Sequence, residues 1–209
     1  MVSNLDNTVD IFGTDGLVDN LPQPIKRVLI KDGEMEEVCE EVLKVLKTYS
    51  PLVKPNIMIV GGSFNLSLYS NALGGLIPLG YLRRNWETVL QNLSDTIMLP
   101  LCTLREEIQS RKGSLMVASL IPRLVNKNLK VTLYGKLLQQ AYEKVNAEIH
   151  TINKTSQGKS FYLGEKLGGQ RAVMTRYFSD DKIHLNKKGQ HTLQKCCARM
   201  IKQHQEQLE

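Results

Sequence analysis

The sequence predicts a three-layer α/β/α fold, a doubly wound parallel sheet covered by helices on both faces. Two observations lead there. Short continuous apolar runs alternate with helical periodicities of about ten residues or more, the pattern of strands buried on both faces and joined by crossover helices. The chain, 209 residues with 42% hydrophobic and 23% charged content, is long enough to bury one full core and has an ordinary glycine and proline count. A single domain spanning residues 1–209 is therefore expected.

Residues 8–12 and 28–30 read as the first two strands. A helix follows over 34–49, with Met35, Val38, Cys39, Val42, Val45, Leu46 and Tyr49 on one stripe. Residues 57–60 form the next buried strand, and a glycine-rich segment covers 74–80. Trp86, Val89, Leu90, Leu93 and Ile97 mark a long helix that Pro100 should kink or end, because proline lacks the amide hydrogen. A strand is expected over 114–119, and a helix is marked by Tyr134, Leu137, Leu138, Ala141, Val145, Ile149 and Ile152. Residues 154–170, with Gly158, Gly164, Gly168 and Gly169, read as a loop excursion, and a final helix runs from about Lys187 toward the C-terminus. No internal repeat is present.

The apolar runs fall short of the roughly 20 residues that span a bilayer, and no secretion signal is visible. No membrane association is expected. Cys39, Cys102, Cys196 and Cys197 lack metal-ligand spacing, and adjacent Cys196 and Cys197 would pair awkwardly. Reduced thiols in a cytoplasmic setting, with no metal and no cofactor, are the expectation. The net charge of +6 conceals a gradient. Residues 1–100 carry 8 basic against 12 acidic side chains, and residues 101–209 carry 19 against 9. A basic half points to a polyanionic partner, nucleic acid before membrane, although a solvated face gives the same count. No basic amphipathic helix with an aromatic face stands out.

In doubly wound sheets the functional crevice lies beyond the carboxyl ends of the strands, so the residues after each apolar run are where chemistry is sought. Four segments qualify: Gly13-Thr14-Asp15-Gly16-Leu17-Val18, Lys31-Asp32-Gly33-Glu34, Gly61-Gly62-Ser63-Phe64-Asn65-Leu66-Ser67, and the run from Asp180 through Asp181, His184, Leu185 and Asn186 to Gly189. In this order they resemble the blocks of the SGNH, or GDSL-type, hydrolases. That family has Gly-Asp-Ser-Leu after its first strand, a glycine after the second, Gly-x-Asn-Asp after the third, and Asp-x-x-His with Leu-Asn and glycine near the end. Asp181 and His184 match the last block, and Ser119-Leu120-Ile121-Pro122-Arg123 resembles a Ser-x-x-Pro-Arg turn found in one branch. The resemblance spans almost the whole chain. It implies an SGNH hydrolase-like fold with flavodoxin-like strand arrangement.

Two departures bear on activity. Gly16 stands where the family places its nucleophilic serine, and Phe64 where it places an oxyanion-hole asparagine. Glycine has no oxygen to attack a carbonyl, and a phenyl ring donates no hydrogen bond to an oxyanion. Asp181 and His184 are then remnants of a triad with nothing to activate. The expected class is a pseudo-hydrolase, not an enzyme. The alternative is an active SGNH-type esterase in which Thr14 or Ser63 acts with His184 and Asp181.

A dead hydrolase scaffold with a basic second half resembles the OSK domains of the Oskar family of insect germ-plasm organisers. That resemblance implies binding of maternal mRNA, through single-stranded or 3′-untranslated regions, in cytoplasmic germ granules of the posterior pole plasm, with protein partners there. The phosphate-binding candidates are Arg83, Arg84, Arg123, Lys127, Lys130, Arg171, Arg176, Lys187 and Lys188. Positive charge at Lys187 and Lys188 runs against the helix dipole, which a bound anion would relieve. Tyr177 and Phe178 are either stacking platforms for bases or core residues under the last block, and Trp86 reads as a helix-face core residue. A peptide-binding adaptor built on the old cleft is a third reading.

Overall fold

The computed structural model describes residues 9–13, 27–29, 34–70, 74–121, 132–155, 176–180 and 184–208. Among the described residues, four parallel strands form the main sheet: β1 (Val9–Gly13), β2 (Arg27–Leu29), β3 (Asn56–Val60) and β6 (Ser114–Val117), in the order β2-β1-β3-β6. Between β3 and β6 lie a two-stranded antiparallel ribbon, β4 (Tyr69–Ser70) and β5 (Gly75–Leu76), and the short helix α2 (Leu79–Arg84). The long helices are α1 (Met35–Lys47), α3 (Trp86–Ser110), α4 (Leu133–Thr155) and α5 (Lys187–Leu208).

Alternation along the strands separates two cores, because successive side chains point to opposite faces of a sheet. Ile57, Ile59, Leu115 and Val117 pack with α1, α3 and α4 on one face. Met58, Val60, Met116 and Ala118 pack with Leu193, Cys197, Met200 and Ile201 of α5 on the other. Each fully buried aliphatic side chain contributes about 1.5–3 kcal/mol. The three-layer, doubly wound architecture is thus as the apolar pattern predicts, and the expected helical stripe on α1 is buried from Met35 to Leu46.

Strand ends differ by one or two residues from the sequence reading: β6 ends at Val117, and past it the Ala118 N–H still donates to the Ile59 carbonyl of β3 at 2.8 Å. The excursion expected at 154–170 lies outside the described residues except at its start, where α4 continues through Thr155.

Pro100 neither ends nor splits its helix, which runs unbroken from Trp86 to Ser110. The reason is a partner from another segment. Proline at 100 leaves the carbonyl of Thr96, four residues earlier, without its helical donor. Asn65 supplies one: its Nδ2 donates to that carbonyl at 3.3 Å. The same side chain accepts, through Oδ1 at 2.9 Å, the amide hydrogen of Met35, the first residue of α1, whose N–H has no partner within its own helix. Glu37 completes that helix start by accepting the Glu34 N–H at 2.8 Å.

Asparagines also satisfy the backbone where α4 covers β6. Asn153 grips Val117 twice, accepting its N–H and donating to its carbonyl, both at 2.8 Å. Asn146 accepts the Leu120 N–H at 2.8 Å. All three asparagines are buried. Burial pushes the Cys39 thiol up to about 12, and burial together with neighbouring Cys196 pushes Cys197 up to about 12.

Asn65→Ala strands the buried Met35 N–H, at about 1–3 kcal/mol, and leaves the part-buried Thr96 carbonyl without its donor. Urea denaturation should show a loss of roughly 2 kcal/mol or more, with Asn65→Asp losing less because it keeps the acceptor. A raised pKa keeps a thiol protonated through neutral pH, so Cys39 and Cys197 should resist a disulfide-exchange reagent at about pH 8 until the chain is unfolded. Prompt labelling of either in the native protein would contradict their burial.

Candidate functional site

The sheet reverses its winding between β1 and β3, since β2 lies on one side of the pair and β6 on the other. Gly13 and Val60 are register partners at the carboxyl ends of these strands, the end of a doubly wound sheet at which its crevice opens. Gly62, just past β3, has φ +89°, and a Cβ there would lie 2.7 Å from the Met35 side chain. The left-handed φ is what favours glycine here, since the Met35 methyl is the end of a flexible side chain. The turn it permits, Ser63–Asn65, is a single turn of 3₁₀ helix.

Ser63 is half-buried in this turn, and its hydroxyl donates to the Ile121 carbonyl at 2.7 Å. That bond ties the loop after β3 to the loop after β6 and engages the proton that a general base would have to remove. Asn65, in the fourth position of the block, is occupied by Met35 and Thr96 as described. Phe64 lies between them in the turn, with no polar side-chain atom to offer. The described part of this loop is held together by its polar groups, each turned to a backbone partner.

The last block is built around Asn186. Its Oδ1 accepts the N–H groups of Lys188 and Gly189, both at 3.0 Å, which caps the start of α5. Its Nδ2 donates to the carbonyls of Arg176 at 2.9 Å and Phe178 at 3.0 Å, and its own N–H donates to the Tyr177 carbonyl at 2.9 Å. Phe178 and Leu185 bridge antiparallel, and Ser179 donates its N–H to the His184 carbonyl at 2.8 Å. Gly189 sits so close to this hairpin that a Cβ would fall 2.1 Å from the Tyr177 carbonyl. The Leu-Asn-x-x-Gly part of the block is therefore a folding device, with the α5 cap supplied by Asn186.

His184 is exposed. Asp181, Gly16, Thr14, Arg123, Lys127, Lys130 and Arg171 lie outside the described residues. Among the other candidates, Arg176, Lys187 and Lys188 are exposed, and Asn186 bonds to the backbone carbonyl of Arg176 and the backbone N–H of Lys188. Arg83 and Arg84 form a separate exposed pair on the last turn of α2, where Arg84 Nε donates to the Gly80 carbonyl at 3.2 Å. Tyr177 and Phe178 are both buried against the second core and so belong to packing, not to base stacking. Arg176 is held over the Tyr177 ring, 4.7 Å from its centroid, and donates to its hydroxyl at 2.7 Å. Trp86 packs against the first core and donates Nε1 to Gln140 at 2.9 Å.

Asn186 is legible as a cap, an asparagine directly before a helix start. Asn65 carries no such signal, because its partners are about 30 residues away on either side.

Solved structures place this architecture among the SGNH hydrolases. A GDSL-like lipase from Bacteroides thetaiotaomicron superposes with a TM-score of 0.63 at 13% identity, covering 95% of this chain and 89% of its own. A lipase/acylhydrolase from Enterococcus faecalis gives 0.56 at 15% identity, with 95% and 96% covered. A psychrotrophic esterase from Pseudoalteromonas gives 0.52 at 14% identity, with 95% and 98% covered. No family model and no curated protein matches the chain. The chain has the SGNH, or GDSL-type, hydrolase fold. Among the described residues, no helix is long and apolar enough to cross a membrane.

Gly189→Ala forces the α5 start away from the Tyr177 carbonyl. Thermal or urea unfolding should register a loss of about 1–3 kcal/mol, the usual range for overpacking. A neutral result would show that the helix start can move aside without strain.

Proposed function

We propose that this chain is a non-hydrolytic SGNH-fold domain that binds RNA through its phosphates, an OSK-type module acting on messenger RNA in a cytoplasmic granule. The observation that carries the reading is the cationic cluster at the last block. Arg176, Lys187 and Lys188 are exposed, and the backbone carbonyl of Arg176 and the backbone N–H of Lys188 bond to the same asparagine side chain, at the start of a helix with no acid in its first turn. Because Asn186 already takes the N–H groups of Lys188 and Gly189, the lysine side chains are the groups that would meet an anion there, favoured by the positive end of the helix dipole.

The crevice residues support the non-hydrolytic half of the proposal. Gly16 offers no nucleophile, Phe64 offers no oxyanion donor, and the Ser63 hydroxyl is engaged by the Ile121 carbonyl. The structural likeness to lipases and esterases favours a second reading, an esterase in which Thr14 replaces the missing serine and works with His184 and Asp181. Germ-plasm localisation and protein partners in the granule follow from the OSK reading and stand or fall with it.

The proposal is tested on the purified chain with two measurements. Hydrolysis of p-nitrophenyl acetate should not exceed the buffer rate, and turnover abolished by Thr14→Ala or His184→Ala would establish the esterase instead. Binding to a labelled single-stranded RNA should weaken steeply with salt. Lys187→Glu with Lys188→Glu should make the log–log salt slope shallower by about 1.4, or about 0.7 per lost phosphate contact, and His184→Ala should leave it unchanged.

A further inference from the structure

The outer face of α5 carries a second feature that neither the block residues nor the crevice accounts for. At 3.6 residues per turn, Lys187, Lys188, His191, Lys195, Arg199 and Lys202 fall within an arc of about 120°. All six are exposed. The buried residues Gly189, Leu193, Cys196, Cys197, Met200 and Ile201 centre on the opposite side. From Lys187 to Lys202 the row is roughly 22 Å long at 1.5 Å per residue.

Ordinary exposed helix faces mix signs, and the other three long helices of this protein do so. Exposed or half-buried positions combine Glu36, Glu40 and Lys44 on α1, Glu87, Asp95 and Arg105 on α3, and Lys136, Glu143 and Lys144 on α4. On α5 no aspartate or glutamate occurs from Lys187 through Gln205, and its one acid, Glu206, stands in the last turn beyond the row. Lys195 and Arg199 stand four residues apart, so their charges repel along the helix and disfavour it slightly. A bound polyanion reverses the sign of that contribution.

The same helix excludes a membrane as the polyanion. Interfacial helices insert an apolar face beside their basic one. Here the apolar face of α5 is packed against Met58, Val60 and Met116 of the sheet, and no aromatic side chain stands on the basic arc. What is left is a rigid row of cations without an apolar margin, which suits a phosphodiester backbone, where contacts are electrostatic and sequence-independent.

We infer that the outer face of α5, through Lys195 and Arg199, forms a continuous phosphate-binding track that begins at Lys187 and Lys188 and receives one RNA strand along the helix. The inference rests on the RNA-binding reading and extends it from a local cluster to a linear surface. It also assigns the sheet face opposite α1, α3 and α4 as the RNA side of the domain.

The experiment uses the full 209-residue chain and a labelled oligouridylate, titrated by fluorescence anisotropy between about 50 and 200 mM salt. The test variant is Lys195→Gln with Arg199→Gln, and the control is Lys44→Gln with Lys47→Gln, which removes the same charge from α1. All four positions are exposed, and circular dichroism melting confirms that each variant folds. The track predicts that the α5 variant alone loses on the order of tenfold in affinity and that its salt slope becomes shallower by about 1.4. An α5 variant that binds like the unmodified chain overturns the track and leaves the cluster at Arg176, Lys187 and Lys188 standing. Equal losses in both variants also overturn it, by showing that overall charge and not position decides. Absence of RNA binding by the unmodified chain overturns the RNA reading itself, whatever the variants do.

Discussion

One asparagine amide connects the parts of this fold that the backbone alone leaves unsatisfied. A helix start exposes an amide hydrogen without a partner, and a proline in mid-helix strips a carbonyl of its donor. Asn65 answers both at once, accepting from Met35 at the head of α1 and donating to Thr96 opposite Pro100 in α3. Its position is set by the turn after β3, which needs Gly62 at positive φ and against the Met35 side chain. The loop that in a hydrolase would shape an oxyanion site is, in this chain, the joint that holds two helices on one face of the sheet.

The last block repeats that logic on the other face. Asn186 caps α5 and binds the carbonyls of residues 176–178, while Gly189 lets the helix approach the hairpin. Leu185 buries its side chain in the second core. None of these roles involves a nucleophile, so the Leu-Asn-x-x-Gly pattern persists in a chain whose first block has glycine at the serine position. A sequence resemblance carried by such residues reports the fold, and the activity has to be read from the positions that touch a substrate.

The charge distribution then acquires a direction. The basic excess of the second half is visible as a count, but the phase of α5 converts part of it into a row, because the helix must turn its apolar residues to Met58, Val60 and Met116 and so presents its cations outward together. The mixed faces of α1, α3 and α4 lie on the opposite side of the sheet. Among the described residues, the outer face of α5 thus carries cations alone from Lys187 to Lys202, whereas the helical layer on the other side of the sheet mixes signs.

The amino-acid sequence by itself determined the fold class, the buried stripe of α1 and the strands β3 and β6, since these depend on local apolar periodicity. It also puts glycine at position 16 and phenylalanine at position 64, side chains that carry neither a nucleophile nor a hydrogen-bond donor. Tertiary structure alone decided that Pro100 stays inside a helix, that Tyr177 and Phe178 are core residues, and that Ser63 is engaged by Ile121. Each of these depends on a partner from a distant segment, and a one-dimensional pattern carries no distance between residues that far apart.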